Sequence, residues 1–356
     1  MNKHGLGWRG LSWCLLLLLF LSFVACRDAA VSSINVRLAC VNYPFDLPTL
    51  VAEQKGIFER DGLNVEVTRH DEERFVLEAL KEGRADFALM SLSTLVLEQL
   101  SAIGPERPED PVILASLIYS HELNQVLVKA SGAIREPSDM EGRRVGLGEG
   151  SGAEYFWWLY ALHHGIDTSR VSLVDVPHDA QPDVLLNGEV QALVTLDAER
   201  YRIANYPEGK LEVLAGNPLY ADNWVLVTTR DTATRRQDIS RRVLQAYHEA
   251  IEDIQITPND ARKMYLASVA LDPGASDNKL QLPPFGMNLD WSLLFNTQQL
   301  LRWTVNSEGG RHEPQSVLNW IESAPLRDLM PSHVGIPPPL HHASVEDASA
   351  EEARTP

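Results

Sequence analysis

Short apolar runs alternate with amphipathic stretches from Ile34 to Leu100, and the same alternation restarts near Ser138 and continues to Leu196. Ile34 to Val41 alternates in part and predicts a strand. Leu50 to Arg60 carries an apolar stripe and predicts a helix ended by Gly62. Leu63 to Thr68 is a second strand. Glu72 to Glu82 is a second helix, with Phe75, Val76, Ala79 and Leu80 inward and Gly83 at its end. Ala85 to Met90 is a short apolar strand, and Ser91 or Ser93 opens the next helix, through Leu100. The order β-α-β-α-β-α is that of an open parallel sheet covered by helices.

A Pro-rich link, Pro105 to Pro111, leads to further strands at Val112 to Tyr119 and Asn124 to Lys129. In the second cycle, Arg144 to Leu147 is a strand and Gly148 to Gly152 a glycine-rich turn. Glu154 to His164 is a helix, Val171 to Val176 a strand, Gln181 to Leu186 a helix and Ala192 to Leu196 a strand. Trp224 to Thr229 is one more strand. Beyond it, helices are expected at Arg241 to Ile254, Asp260 to Ala270, Trp291 to Val305 and Gln315 to Ile321. The fold class is α/β, with two units.

The 356 residues suit about two domains. With 44% apolar and 22% charged residues, the composition is that of a globular protein. The net charge is −18, and residues 1–25 hold Lys3 and Arg9 but no acid, so the remainder is more acidic still. Such a surface repels phosphate backbones, and nucleic acid is not an expected partner. The cysteines, Cys14, Cys26 and Cys40, give no disulfide framework and no zinc spacing. Cys40 falls in a strand-like run and reads as a small buried apolar residue.

Residues 1–25 combine a positive start (Lys3, His4, Arg9) with an apolar core from Leu11 to Ala25, the length of a signal peptide and short for a spanning helix. The run Phe23-Val24-Ala25-Cys26 resembles the bacterial lipobox, in which the signal is cut before the cysteine and the thiol is acylated. Phe23 stands where leucine is usual, and plain secretion with cleavage near Ala25 or Ala30 is the alternative. Residues 26–33 then read as a lipidated tether. Residues 337–356 form a Pro-rich, acidic tail with almost no large apolar residues, expected to be disordered.

Four segments of the body resemble a known family. They are LVAEQKGIF from Leu50 to Phe58 with GLNV from Gly62 to Val65; ALKEGRADFA from Ala79 to Ala88; SDMEGRRVG from Ser138 to Gly146; and LNGEVQA from Leu186 to Ala192. Together they resemble the extracytoplasmic solute-binding proteins of ABC importers for nitrate, sulfonate, taurine and thiamine pyrimidines, the SsuA/THI5-like and NMT1-like group. The resemblance implies a type II periplasmic-binding-protein fold: two lobes with a hinge and a ligand cleft between them. On that template one lobe is 34–125 plus 225–330 and the other 126–224. It also implies a small-molecule ligand, an ABC permease as partner, a membrane reached through the lipid anchor, and a monomer. No cofactor is implied.

Open α/β sheets bind ligands beyond the carboxyl ends of their strands. Ser91, Ser93 and Thr94 follow a strand and open a helix; they are either ligand donors or a plain N-cap. Gly150, Ser151 and Gly152 do the same in the second unit, where glycine admits a ligand close to the backbone. Asn42, Tyr43 and Asp46 lie on the first post-strand loop, where Asp46 is either an amine partner or a solvated carboxylate. His121 is a ligand donor or a hinge residue. Asp197 follows another strand. Tyr220, Asp222, Asn223 and Trp224 precede the second crossing, and an aromatic there can stack on a flat ligand. The acids Asp46, Glu122, Glu149, Asp197 and Asp222 fall at the expected cleft ends; if most face inward, the pocket favours an amine-bearing or heteroaromatic ligand over an oxyanion.

Two other classes compete. The same fold hosts a thiamine-pyrimidine synthase, but its cysteine-rich motif is absent here. So are the Gly-x-Ser-x-Gly elbow, HExxH and the P-loop, and no catalytic or metal-ligating set is expected. A tethered sensor that reports ligand occupancy to a membrane kinase or cyclase is the other alternative.

Overall fold

The computed structural model describes residues 33–99, 107–196, 211–216, 218–268, 281–307 and 316–338. The expected signal peptide, Cys26 with its tether, Asp197 and the tail beyond residue 338 lie outside these residues. The described body from Asn35 onward forms one unit that holds two sheets.

The first sheet comprises β1 (Ile34–Val41), β2 (Leu63–His70), β3 (Phe87–Ser91), β4 (Pro111–Ser120), β10 (Asp222–Thr229) and β11 (Phe285–Asn288), in the order β11-β4-β10-β3-β1-β2. The second comprises β5 (Asn124–Lys129), β6 (Arg144–Leu147), β7 (Ser172–Asp175), β8 (Ala192–Leu196) and β9 (Leu211–Val213), in the order β7-β6-β8-β5-β9. The helices used below are α1 (Leu47–Gln54), α2 (Glu73–Lys81), α3 (Leu92–Gln99), α4 (Gly152–His164), α5 (Gln181–Leu186), α6 (Gln237–Ile256) and α7 (Trp291–Ser307).

Each sheet mixes directions. β1 pairs with β3 in parallel, but β10 inserts antiparallel between β3 and β4. In the second sheet β6, β7 and β8 are parallel and β5 is antiparallel to β8. This positions the site. Ser91 at the end of β3 pairs with Trp224 near the start of β10, so Asp222 emerges at the same sheet edge. Asn124 at the start of β5 pairs with Leu196 at the end of β8. Strands of either direction thus deliver their polar ends to one edge of each sheet. Pairing puts Asn124 and Gln125 in the second sheet and Asp222 to Trp224 in the first, slightly displaced from the crossings the template implies.

Some local expectations need correction. The helix expected over Leu50 to Arg60 is two pieces, α1 and a turn at Ile57–Arg60. Gly56 separates them at φ +63°, a left-handed backbone that glycine adopts without a Cβ clash. The segment expected to be helical at Gln315 to Ile321 is a single 3-10 turn, Val317–Trp320, and Ile321 then bridges to Ile113. β9, β11 and a short helix at Ala324–Leu329 were not expected.

β3 is buried at all five positions, as a central strand covered on both faces must be. α1 packs on α6, where the Thr49 and Tyr247 hydroxyls meet at 2.7 Å. Trp224 is fully buried, its ring 4.7 Å from that of Phe45 and 6.1 Å from that of Tyr43. Its indole N–H has no hydrogen-bond partner among the described residues. Trp224→Ala should therefore cost about 3–5 kcal/mol in urea unfolding. Trp224→Phe should cost far less, because it keeps the ring packing and removes a buried unpaired donor.

Candidate functional site

A cavity of about 300 Å³ lies between the facing edges of the two sheets, at the small end of sites for organic ligands, about 300–1,000 Å³. The first lobe contributes Tyr43, the start of α2, Ser91, Ser93, Thr94 and Asp222. The second contributes Asn124, the turn from Gly148 to Gly152, Asp175, His178 and Gln181.

The lobes touch across this cavity. Gly152, at the start of α4, faces Ser93 in α3, so closely that a Cβ on Gly152 would lie 2.3 Å from the Ser93 Oγ. His178 meets Tyr43 with ring centroids 4.8 Å apart. Outside the cavity Tyr155 on α4 lies 5.1 Å from Trp303 on α7. The two lobes are thus in contact both at the cavity and beside it.

The polar wall is ordered by its own hydrogen bonds. Ser91 donates to Glu73 Oε2 through its N–H at 2.8 Å and its hydroxyl at 2.5 Å. Thr94 N–H donates to Ser91 Oγ at 3.2 Å, an N-cap, and the Ser93 hydroxyl donates to the same oxygen at 3.0 Å. Opposite, the Ser151 hydroxyl donates to the Gly148 carbonyl at 2.7 Å and accepts from Ala153 N–H at 3.2 Å. Gly150, at φ +69°, donates its N–H to Glu154. Asp222 accepts from Asn124 at 3.0 Å and from Asn223 N–H at 2.9 Å. Thr195 donates to Gln181 Oε1 at 2.5 Å.

The electrostatics are one-sided. Among the described residues, Glu72, Glu73, Glu98, Glu149, Asp175 and Asp222 line the cavity beside a single guanidinium, Arg74, which is paired with Glu72 at 2.8 Å. Burial pushes the Asp222 carboxyl up to about 7, with the Glu73 charge adding to the shift and the Asn124 bond opposing it. Burial also raises Glu73, against the Ser91 bonds that favour its charged form. Among the described residues no cluster of His, Cys, Asp and Glu has the arrangement of a metal site.

The sequence candidates divide. Ser91, Ser93, Thr94, Gly150, Ser151 and Gly152 line the cavity, as do Tyr43, Glu149 and Asp222. Asn42 is exposed and off the wall. Asp46 turns into the first lobe, where it accepts from the Cys40 thiol at 3.2 Å and pairs with Arg69 at 3.4 Å. It is not among the residues that line the cavity. His121 sits outside the cavity and bonds the Tyr220 carbonyl at 2.7 Å, tying together the two chain crossings. Asn223 is buried against Ser116 and Asn296, and Trp224 belongs to the core. Glu122 is exposed away from the cavity. Asp197 lies outside the described residues. Glu73, Asn124, Asp175, His178 and Gln181 were not foreseen.

A profile described as NMT1/THI5 like matches residues 45–261, more than half of the sequence. The chain belongs to the NMT1/THI5-like family. A Haemophilus influenzae protein named for thiamine biosynthesis is 25% identical over 249 residues, covering 67% of this chain and 74% of that one. The alkanesulfonate-binding protein SsuA of Xanthomonas axonopodis pv. citri, solved with MOPS, superposes with a TM-score of 0.71 at 15% identity, covering 82% of this chain and 99% of SsuA. A point variant of the desulfurization enzyme DSZB, in complex with biphenyl-2-sulfinic acid, superposes at 0.62 and 15% identity over 84% of this chain and 99% of its own. The fold is that of the periplasmic binding proteins, two lobes with a hinge, and it carries both binding proteins and an enzyme.

Proposed function

We propose that this protein is the solute-binding component of an ABC importer, taking a small amine-bearing, flat molecule into the cleft. The observation that carries the reading is the wall of six carboxylates facing one already paired guanidinium among the described residues. Glu98, Glu149 and Asp175 are exposed, but Asp222 is buried and Glu73 half-buried, and carboxylates shielded from water in this way favour a cation or a strong N–H donor and oppose an oxyanion. The Tyr43–His178 pair supplies aromatic faces on which a heteroaromatic ring can lie. A ligand touching both lobes binds the closed state more tightly and draws the hinge equilibrium towards it, and the permease reads that closed shape. Cys40, the free thiol among the described residues, is buried beside Asp46 away from the cleft, in keeping with binding over thiol chemistry. The family and fold support an extracytoplasmic location, and the run Phe23 to Cys26 supports acylation of Cys26 on a periplasmic or cell-surface monomer.

Thermal unfolding of the full chain in mild detergent, against aminopyrimidines, amidines, polyamines, sulfonates and nitrate, tests the reading. A ligand at a hundred times its Kd adds about 2.7 kcal/mol, a rise of several degrees. A hit among the amines is expected. Tight binding of a sulfonate or nitrate with no amine hit refutes the ligand class.

A further inference from the structure

We infer that Glu73 sets the charge of the ligand the cleft accepts, because its carboxylate already fills the place at the start of α3 that an anion would take. The inference rests on the cleft being the ligand site. Helix starts carry N–H groups without helical partners and partial positive charge, and so attract anions. Here the Ser91 N–H and hydroxyl both end on Glu73 Oε2. The Thr94 N–H and the Ser93 hydroxyl reach the same carboxylate through Ser91 Oγ. A second acid, the buried Asp222, lines the same cavity, and the Glu73 charge adds to the cost of ionising it. An incoming oxyanion would find these donors engaged and two like charges beside it. An incoming cation finds a carboxylate held in place by the helix start and the serine.

The facing helix repeats the arrangement. Gly150 N–H donates to Glu154 at 3.1 Å, and Ser151 takes the Ala153 N–H. The positive ends of α3 and α4 are both answered by the chain's own acids, but Glu73 is the one of the two that lines the cavity. Glu73 is thus a specificity-determining residue whose removal exposes an anion site.

The test is isothermal titration of the full chain in mild detergent with methanesulfonate and with inorganic sulfate at constant ionic strength, using wild type, Glu73→Ala and Glu73→Gln. Wild type should bind neither anion in the millimolar range. Glu73→Ala should bind methanesulfonate at least about 30-fold more tightly than wild type, within the range that a close like charge imposes. Glu73→Gln keeps an acceptor for Ser91 and offers an amide N–H to the cleft; it should gain about tenfold and covers the case in which the alanine variant does not fold. Wild-type binding of either anion as tight as the variants' overturns the inference, as does a folded variant that gains nothing. The amine arm is separate: an anion gain with no amine binding by wild type upholds the role of Glu73 and removes the proposed ligand class.

Discussion

Gly152→Leu should abolish tight ligand binding while leaving the unliganded protein folded and as stable as wild type. With the lobes in contact as they are here, a Cβ at this position would lie 2.3 Å from the Ser93 Oγ and 2.9 Å from the Ser93 Cβ. The hydroxyl alone could rotate away, but the Cβ is fixed by α3. Gly152 has no left-handed backbone, so a leucine there is not strained by its own conformation. The two residues belong to different lobes, and opening the hinge separates them. The clash is therefore borne by the closed state alone. Overpacking of this kind costs about 1–3 kcal/mol or more, and about 3 kcal/mol against closure lowers apparent affinity by about 150-fold. The measurement is titration of the ligand identified by the thermal panel, with small-angle scattering to read the hinge. Gly152→Ala should show a smaller loss, and adding Ser93→Gly should restore it, since that pair removes the opposing atoms. Unchanged affinity in Gly152→Leu would mean that the ligand does not require the closed arrangement.

The residues that form this contact were legible because each follows a strand and opens a helix. Ser91, Ser93 and the Gly150 to Gly152 turn needed only the β/α alternation to be placed at the sheet edge. Glu73 carries no such signal. It is an ordinary polar residue in the first turn of an amphipathic helix, and its bond to Ser91 spans 18 positions and depends on how α2 packs on β3. Asn124 reaches the cleft because β5 runs antiparallel to β8, and strand direction is not written in an apolar run. The placement of Asp46 was hidden in the opposite sense. A carboxylate in a Pro-flanked loop looks solvated, yet Arg69 and the Cys40 thiol draw it inward. The antiparallel insertion of β10 likewise followed from long-range pairing and could not be read from Trp224 to Thr229 alone.

The unliganded protein should gain stability as pH falls from about 8 to about 5, and should lose affinity for the amine-bearing ligand proposed for the cleft over the same range. Asp222 and Asp46 are both buried and both pushed up to about 7, and Glu73 is raised as well. A carboxyl whose folded pKa lies above its unfolded value binds its proton more tightly in the native state. Stability then falls as pH rises from the unfolded pKa, about 4, to the folded one, about 7, and levels off above that. A shift of about three units corresponds to about 4 kcal/mol per group as an upper bound. The groups facing Asp222 are Glu73, Tyr220 and Asn124; those facing Asp46 are Arg69, Glu53, Cys40 and Thr49. Arg69 offsets part of the Asp46 shift, so Asp222 is the better one to remove. Asp86 acts in the opposite sense, because Arg37 holds its carboxyl below the usual range and its contribution is lost only at lower pH. Asp222→Asn keeps an acceptor for the Asn223 N–H, and Asn124 can turn its amide to suit. The variant should melt several degrees above wild type at about pH 8 and match it at about pH 5, where wild-type Asp222 is already protonated. It should also lose the pH dependence of ligand binding, together with most of the affinity, because the charge that recruits the amine is the charge that destabilises the empty cleft. A wild-type melting temperature that rises from about pH 5 to about pH 8, unaltered in Asp222→Asn, would show that the buried acids do not govern either property.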